Sequence, residues 1–279
     1  MRLLGKGALA LAGVALVAIG GLYGGSSWVR AKTYDVPVTP IAVPHDSASV
    51  AEGGRLAHAY GCRGCHGPDG EGRVFVDDLI DGRVVAPAFA RRVPLYSDAQ
   101  LARLIRHGVR RDGTGQLAMP SHALVNLSDD DVARIIAWLR TLKPSATDVV
   151  RPSSFGPETR WRLLDGDLPS QVVPADIPSP RTRPANIGSY YVHGICLSCH
   201  SLTAPRPIDG EVAPPLADMA AGYDDAAFAR LLHTGVGMSK ADLGLMSEVA
   251  RGDLSALRAD EVAAIHTYLK AYAANEPPQ

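Results

Sequence analysis

The sequence is poor in cysteine, in aromatic residues and in net charge. Its 279 residues contain four cysteines, which are too few for a disulfide framework. The formal net charge of −1 argues against the strongly basic surface of a nucleic-acid-binding protein. Aromatic residues make up 6%, which is low for a chain long enough for about two domains and two cores. Hydrophobic residues make up 46%, so the chain is nevertheless expected to fold into a globular protein.

The first 34 residues contain no acidic residue, and Gly7–Val29 contains no charge at all. As a helix, these 23 residues span about 34 Å, against a hydrocarbon core of about 30 Å. Tyr23 and Trp28 are suited to the membrane interface, which favours a retained transmembrane anchor over 1–34. The alternative is a cleaved signal peptide, since small residues suited to cleavage are present. Basic residues before the run place the N-terminus in the cytoplasm, and in both cases everything after about residue 34 is exported.

All four cysteines lie in two Cys-x-x-Cys-His motifs, Cys62–His66 and Cys196–His200. Two thiols at this spacing can each add to a vinyl group of one haem, and the adjacent histidine then ligates its iron. One such pair could instead form a redox dithiol or half of a zinc site, but two pairs followed by histidine favour haem. The sequence predicts two covalently bound haem c groups. The predicted attachment and iron-binding residues are Cys62, Cys65, Cys196 and Cys199, with His66 and His200 as axial ligands.

The two motifs belong to a longer internal repeat. Val85–Phe89 aligns with Val212–Leu216, and Met119 and Met246 each lie ten residues after a matched valine. We therefore predict Met119 and Met246 as the second axial ligands of the two irons. Pro120 follows Met119, but Ser247 follows Met246, so Met238 in the same loop remains an alternative.

A proline recurs at a fixed place in both copies. Pro87 and Pro214 align, and the carbonyl of a rigid loop can accept the second ring N–H of an iron-ligating histidine. We predict that role for both prolines; a simple turn is the alternative.

Helix signals dominate the rest of each copy. Ser49 with Glu52 and Ser97 with Gln100 read as capping boxes, and Ser128 precedes a helix with apolar residues at a helical period. Arg258 replaces that serine in the second copy. Because no segment alternates strongly between apolar and polar residues, we predict an all-α fold.

The repeat divides the chain into segments. After the anchor 1–34 and a tether 35–45, we predict two tandem domains, 46–144 and 185–279, joined by a proline-rich linker, 145–184. Trp161, Leu163 and Leu164 predict that part of this linker packs on a domain.

The two predicted domains differ in charge. Residues 45–145 carry 13 basic and 12 acidic side chains, whereas 185–279 carry 6 and 11. The first also gathers six arginines: Arg91, Arg92, Arg103, Arg106, Arg110 and Arg111. These arginines could steer a redox partner to the first domain or hold haem propionates.

The motifs together resemble a class I cytochrome c domain. The resemblance is carried by Gly54, Leu56, Cys62, Cys65, His66, Pro87, Met119-Pro120 and the helix at 135–139. The stretch 107–113, followed by Met119-Pro120, is similar to membrane-anchored cytochrome subunits of periplasmic dehydrogenases. The resemblance implies a compact helical fold in which Gly54 lets the first and last helices cross closely, and electron transfer by His/Met-ligated iron. Those subunits commonly carry three such modules, whereas this chain has two.

The expected function is that of a membrane-tethered dihaem electron carrier. Its partners would be a periplasmic dehydrogenase or quinol-oxidising complex and a downstream oxidase or soluble cytochrome. Its haem domains would lie on the periplasmic side of a bacterial inner membrane, or be soluble there if the leader is cleaved. The alternative is a dihaem enzyme such as a peroxidase, with one exchangeable iron position and His233 nearby. A sulfur-oxidising enzyme is disfavoured because no cysteine is spare, and nothing in the sequence favours a sensor.

Overall fold

The computed structural model describes residues 2–208 and 210–274. The predicted segments 1–34 and 185–279 therefore extend outside the described residues, at Met1, at Asp209 and at 275–279. The first part of the chain contains α1 (Arg2–Ala31), α2 (Ser47–Ala59), α3 (Cys62–His66), β1 (Arg73–Asp77), β2 (Gly82–Ala86), α4 (Phe89–Arg92), α5 (Asp98–His107), α6 (Ser121–Leu124) and α7 (Asp129–Thr141).

The same kinds of element then recur in the second part. It contains β3 (Ser154–Phe155), α8 (Pro157–Leu164), α9 (Ile187–Gly194), β4 (Arg206–Ile208), β5 (Glu211–Ala213), α10 (Leu216–Ala221), α11 (Asp225–Thr234), α12 (Leu245–Gly252) and α13 (Ala259–Ala273). Short 3₁₀ turns lie at Val93–Leu95, Cys196–Ser198 and Leu254–Ala256. We call α2–α7 the first half and α9–α13 the second half.

Helix α1 is long, apolar and almost entirely exposed. The most apolar window of Leu9–Ala31 has a mean hydropathy of 1.7, and 6% of it is buried. By length and composition it could cross a membrane, and a signal sequence would have the same character. Its contacts with α8 lie near its C-terminal end, where a Cβ at Gly25 would lie 3.1 Å from Leu164 Cδ2.

The chain after α1 packs against the first half. Tyr34 N donates to Gly113 O at 2.9 Å, and Arg103 Nη1 donates to Val36 O at 3.2 Å. Val36 is buried, and Ile41 and Val43 are partly buried against the core. The segment 35–45, predicted as a tether, is therefore held along much of its length.

In each half, the first helix crosses the last one closely. A Cβ at Gly53 in α2 would lie 1.8 Å from Arg134 O in α7, and a Cβ at Gly188 in α9 would lie 2.1 Å from Ala264 O in α13. The predicted crossing residue, Gly54, meets the Trp138 ring instead, at 2.9 Å. The closest backbone approach is therefore at Gly53, one position earlier than the sequence suggested.

Most helix caps follow the sequence signals, with one exception. Ser97 and Gln100 form a capping box on α5, Ser128 accepts from Asp131 N, and Arg258 occupies the N-cap position of α13. The Ser49 prediction is wrong, because Asp46 caps α2 and accepts from Ser49 N. The helix starts earlier than predicted because the aspartate offers a charged acceptor to the free N–H groups of the first turn.

The fold is predominantly helical, but the described residues also contain two small sheets. Strands β1, β2 and β3 form one antiparallel sheet, and β4 and β5 form a hairpin. The all-α prediction missed them because β1 is largely exposed and β2 is half-buried throughout, so neither shows the alternation of a strand with one face on a core.

The proline-rich segment 145–184 packs on the first half. Strand β3 pairs with β2, and Val149 N donates to Glu71 O at 2.7 Å. Leu163 is buried as expected, whereas the Trp161 side chain points largely to solvent.

A buried polar cluster joins the two halves. Asp131 at the start of α7 accepts from Tyr190 Oη and from Arg183 Nε, each at 2.7 Å. Glu261 at the start of α13 accepts from Arg55 Nη1 and Nη2, each at 2.8 Å. Both carboxylates are buried, so their desolvation is offset by these charged and hydroxyl donors.

The close crossings predict the effect of two substitutions. Gly53→Ala or Gly188→Ala places a methyl group against a backbone oxygen, so each should lower the free energy of unfolding by about 3 kcal/mol. Gly252→Ala is the matched control, since a Cβ there meets no atom within 4 Å. Denaturant unfolding of the full chain in detergent measures the difference. Equal stability of all three variants would contradict the proposed role of the two glycines.

Candidate functional site

The first attachment motif is a single helical turn. Gly61, in the left-handed conformation at φ 75°, precedes α3, and the three-residue spacing puts Cys62 and Cys65 on one side of it. Burial raises the pKa of the Cys62 thiol to about 12, and burial likewise raises the pKa of the Cys196 thiol to about 12. Reactive redox dithiols have lowered thiol pKa values, the opposite direction to the shifts of Cys62 and Cys196.

Both motif histidines are held by a proline carbonyl. His66 Nδ1 lies 2.8 Å from Pro87 O, and His200 Nδ1 lies 2.9 Å from Pro214 O. With Nδ1–H donating to the carbonyl, Nε2 is left free to bind iron. Burial lowers the pKa of both imidazoles, which favours the neutral ring that ligates a metal.

An aromatic stack supports the first motif histidine, and no local sequence motif indicates this stack. The Phe89 ring stacks on His66 with centroids 4.3 Å apart and meets the Trp138 ring edge-on at 6.0 Å. Phe89 follows Pro87 closely in the repeated segment, so its place in the repeat was the available signal. In the second half Leu216 occupies that position, and an aliphatic side chain cannot form such a stack.

Gln116 holds the loop that carries Met119. Its Oε1 accepts from Ala118 N at 2.8 Å and Met119 N at 2.6 Å, and its Nε2 donates to Met119 O at 2.6 Å. Gln116 is buried, and Met119 is partly buried against the core. The buried amide therefore fixes the backbone of the predicted ligand from both sides, a role that no local motif indicates.

Ser247 holds the loop that carries Met246, as Gln116 holds the loop that carries Met119. Its hydroxyl accepts from Leu243 N at 2.8 Å and donates to Gly235 O at 2.5 Å, and the residue is fully buried. The hydroxyl thus ties the Met246 backbone to the end of α11, which explains how this loop is fixed without a proline.

The two methionines that the sequence left open differ in burial. Met246 is partly buried against the core, whereas Met238 is 53% exposed. The assignment of either as an iron ligand stays a prediction.

Each attachment motif borders the other half of the molecule. A Cβ at Gly194, just before Cys196, would lie 2.8 Å from the Tyr60 ring, just before Cys62. Asp253 of the second half lies against the first motif, with Oδ2 2.9 Å from a Cβ placed on Gly64. Burial raises the Asp253 pKa, and Oδ1 has no hydrogen-bond partner among the described residues. Helix α6 in turn packs on the turn Cys196–Ser198.

Half of the predicted arginine patch is engaged within the protein. Arg106 is buried and donates to Leu127 O at 3.0 Å, and Arg103 Nη2 donates to Arg110 O at 2.6 Å. Arg110 donates to Gly115 O, while Arg92 and Arg111 are exposed. Three of the six arginines, Arg103, Arg106 and Arg110, therefore brace nearby backbone, whereas Arg91, Arg92 and Arg111 are exposed, with Arg91 paired to Asp148.

The donor set fits a covalently attached haem. Each half offers two thiols at Cys-x-x-Cys spacing, an imidazole with its Nδ1 already hydrogen-bonded, and a methionine on a loop fixed by a polar side chain. Among the described residues no group of three or more His, Cys, Asp or Glu side chains could hold a metal ion. Iron held within a porphyrin needs only the two axial side chains.

Comparisons with known proteins point the same way. Residues 48–139 match the family described as cytochrome c oxidase, cbb3-type, subunit III. The chain is 26% identical over 277 residues to the alcohol dehydrogenase (quinone) cytochrome c subunit of Gluconacetobacter polyoxogenes, covering 84% of this chain and 58% of that protein. It is 27% identical over 277 residues to the gluconate 2-dehydrogenase cytochrome c subunit of Pantoea cypripedii, covering 84% and 62%.

A third relative is the fructose dehydrogenase cytochrome subunit of Gluconobacter japonicus, 27% identical over 157 residues, covering 53% of this chain and 26% of that protein. The chain thus spans about three fifths of the first two relatives and about a quarter of the third. The attachment motifs, the donor sets and these relatives together support the resemblance of the chain to class I c-type cytochromes.

Proposed function

We propose that the chain is a dihaem c-type cytochrome that transfers electrons for a dehydrogenase. The observation that carries this proposal is the pair of equivalent sites, in which His66 and His200 each point Nδ1 at a proline carbonyl. The two haem c groups would be attached at Cys62 and Cys65 and at Cys196 and Cys199. Segments 46–144 and 185–279 would be the two cytochrome c domains.

The axial pairs would be His66 with Met119 and His200 with Met246. When bound, a haem iron with His/Met ligation exchanges one electron at high potential. The protein's part is to fix both ligands: the proline carbonyls orient the imidazoles, and Gln116 and Ser247 fix the methionine loops. Tyr60 and Gly194 meet just before the two attachment motifs, so the two proposed haem sites would lie at one internal boundary.

The partners would be redox proteins on the exported side of the membrane. The relatives are named as cytochrome c subunits of alcohol and gluconate dehydrogenases, which supports a dehydrogenase as the electron donor. A quinol-oxidising complex is the other candidate donor, and an oxidase or soluble cytochrome would accept the electrons. Helix α1 would anchor the protein in the inner membrane with the haem domains in the periplasm.

One observation favours a second candidate, a dihaem peroxidase. Among the described residues, the buried His233 Nε2 has no hydrogen-bond partner. A histidine close to an exchangeable iron position could serve as an acid or base for peroxide.

Haem counting and a spectroscopic redox titration of the full chain test the proposal. We expect the mass of two haem groups, two one-electron steps, and low-spin ferric spectra with a sulfur-to-iron charge-transfer band. One haem per chain would contradict the dihaem assignment. High-spin ferric haem together with peroxide turnover would replace the carrier by the enzyme.

Substitution of the methionines tests the ligand assignment. Met119→Leu and Met246→Leu should each remove about half of the charge-transfer band and lower the potential of one haem, because the thioether stabilises ferrous iron. The exposed Met238→Leu is the matched control and should leave both haems unchanged. If Met238→Leu removes the band and Met246→Leu does not, the second ligand has been assigned to the wrong residue.

Removing the Ser247 hydroxyl tests whether its hydrogen bonds to Leu243 N and Gly235 O hold the Met246 loop. Ser247→Ala leaves Leu243 N and Gly235 O without their partner, which should destabilise the fold by about 1–3 kcal/mol. In a Met119→Leu background the remaining band reports Met246 alone, and it should weaken. Ser255→Ala, an exposed serine of the same half, should change neither quantity. An unaltered charge-transfer band in the Ser247 variant would show that the Met246 loop does not need the hydrogen bonds of the Ser247 hydroxyl.

A further inference from the structure

Large apolar side chains are exposed around the C-terminal end of α1. Leu79 is 94% exposed, Ile80 is 65% exposed, Trp161 is 57% exposed and Trp28 is 78% exposed. Single exposed apolar residues are common on soluble proteins, but a contiguous group marks an interaction surface. We call Leu79, Ile80, Trp28 and Trp161 the apolar rim.

The hydrogen bonds connect the members of the rim. Leu79 and Ile80 lie at the tip of the β1–β2 hairpin, and Ile80 O accepts from Glu158 N at 3.0 Å. Gly156 N donates to Asp81 O at 2.8 Å, so this tip is fixed to the start of α8, which carries Trp161.

Helix α8 is in turn fixed to α1. Arg160 Nη1 donates to Ser26 Oγ at 2.8 Å, and its guanidinium lies 4.2 Å from the centroid of the Tyr23 ring. Leu164 packs against Gly25, one turn before Trp28. These contacts of α8 with α1 therefore fall at residues 23–27.

That position sets the depth of α8 in a membrane. The uncharged run of α1 begins at Gly7, and a bilayer core takes about 20 residues of helix. The core therefore ends near Ser26, where Arg160 is bound. Tryptophan and arginine are the side chains suited to this boundary, because the ring or stem stays apolar while the polar group reaches the headgroups.

We propose that the apolar rim is a second membrane contact, in which Leu79, Ile80 and Trp161 insert into the lipid interface beside α1. This inference rests on the proposed role of α1 as a retained anchor. Lipid is the occupant because the rim is continuous with the bilayer-spanning helix. Arg30 is exposed beside it, with its guanidinium 4.6 Å from the Phe155 ring, and is suited to lipid phosphates, whereas Arg160 is engaged by Ser26 and by Phe155 O.

A single-cysteine label tests the contact, because the four native cysteines of the holoprotein are blocked as thioethers. Leu79→Cys in the full chain is labelled with an environment-sensitive fluorophore and reconstituted in phosphatidylethanolamine and phosphatidylglycerol vesicles. We expect a blue-shifted emission and at least a twofold loss of fluorescence when the lipids are replaced by brominated ones. Val212→Cys, 69% exposed on the β4–β5 hairpin of the second half, is the matched control and should show no bromine quenching.

The possible outcomes distinguish a failure of the membrane contact of the apolar rim from a failure of α1 as the membrane anchor. Haem absorbance checks folding, and co-sedimentation of the unlabelled chain with vesicles in high salt tests the anchor alone. If the chain sediments but the Leu79 label is not quenched, the anchor stands and the rim is a free surface, open to a protein partner. If the chain does not sediment, the anchor itself fails. Equal quenching at positions 79 and 212 would show non-specific adsorption and would overturn the proposal.

Discussion

Two buried carboxylates, each bound by a hydrogen-bond donor from the opposite half, tie the two halves of this structure together. Asp131 of the first half is bound by Tyr190 of the second, and Glu261 of the second half is bound by Arg55 of the first. A buried carboxylate without its partner is strongly unfavourable, so neither half can leave its neighbour without exposing or stranding a charge. Each carboxylate lies in the first turn of the last helix of its half, where the helix dipole also favours negative charge. The Tyr60 ring, which borders Gly194 across the same boundary, lies 6.1 Å from the Tyr191 ring, centroid to centroid.

The sequence predicted the features that short-range chemistry determines. The contacts of the proline carbonyls with both histidines follow from a repeated pattern, and the Ser97 and Ser128 caps follow from neighbours a few residues away. It did not predict features decided by distant partners. Glu52 looks like the end of a capping box, but it is engaged by Arg55, Arg183 and Arg258, and Asp46 takes the cap instead. Likewise, Gly53 and Gly54 are indistinguishable in the sequence, and only the path of α7 decides which of them meets backbone.

The two methionine loops show how different residues can serve one purpose. In the first half, proline restricts the backbone after Met119 and a buried amide holds it at three points. In the second half, a single hydroxyl connects the loop to the glycine that ends α11. The sequence of the second half has no proline after its methionine. In the structure, the hydrogen bonds of the buried Ser247 hydroxyl restrain that loop, where Pro120 restrains the first one. Both halves retain a glycine with positive φ, Gly108 and Gly235, against which the polar clamp packs.

The packing of residues 33–43 along the first half has a consequence for encounter with other molecules. An electron carrier on a flexible linker can reorient around its membrane attachment point and can present either face to a partner. Tyr34 and Val36 are bound to the body, so in the proposed arrangement, with α1 as a membrane anchor, the rest of the chain would have little freedom to rotate about that anchor. Its search for a partner would then be lateral diffusion with one fixed orientation. A productive partner would have to present its redox centre at a matching height above the bilayer, so geometry would select among partners before any specific contact forms.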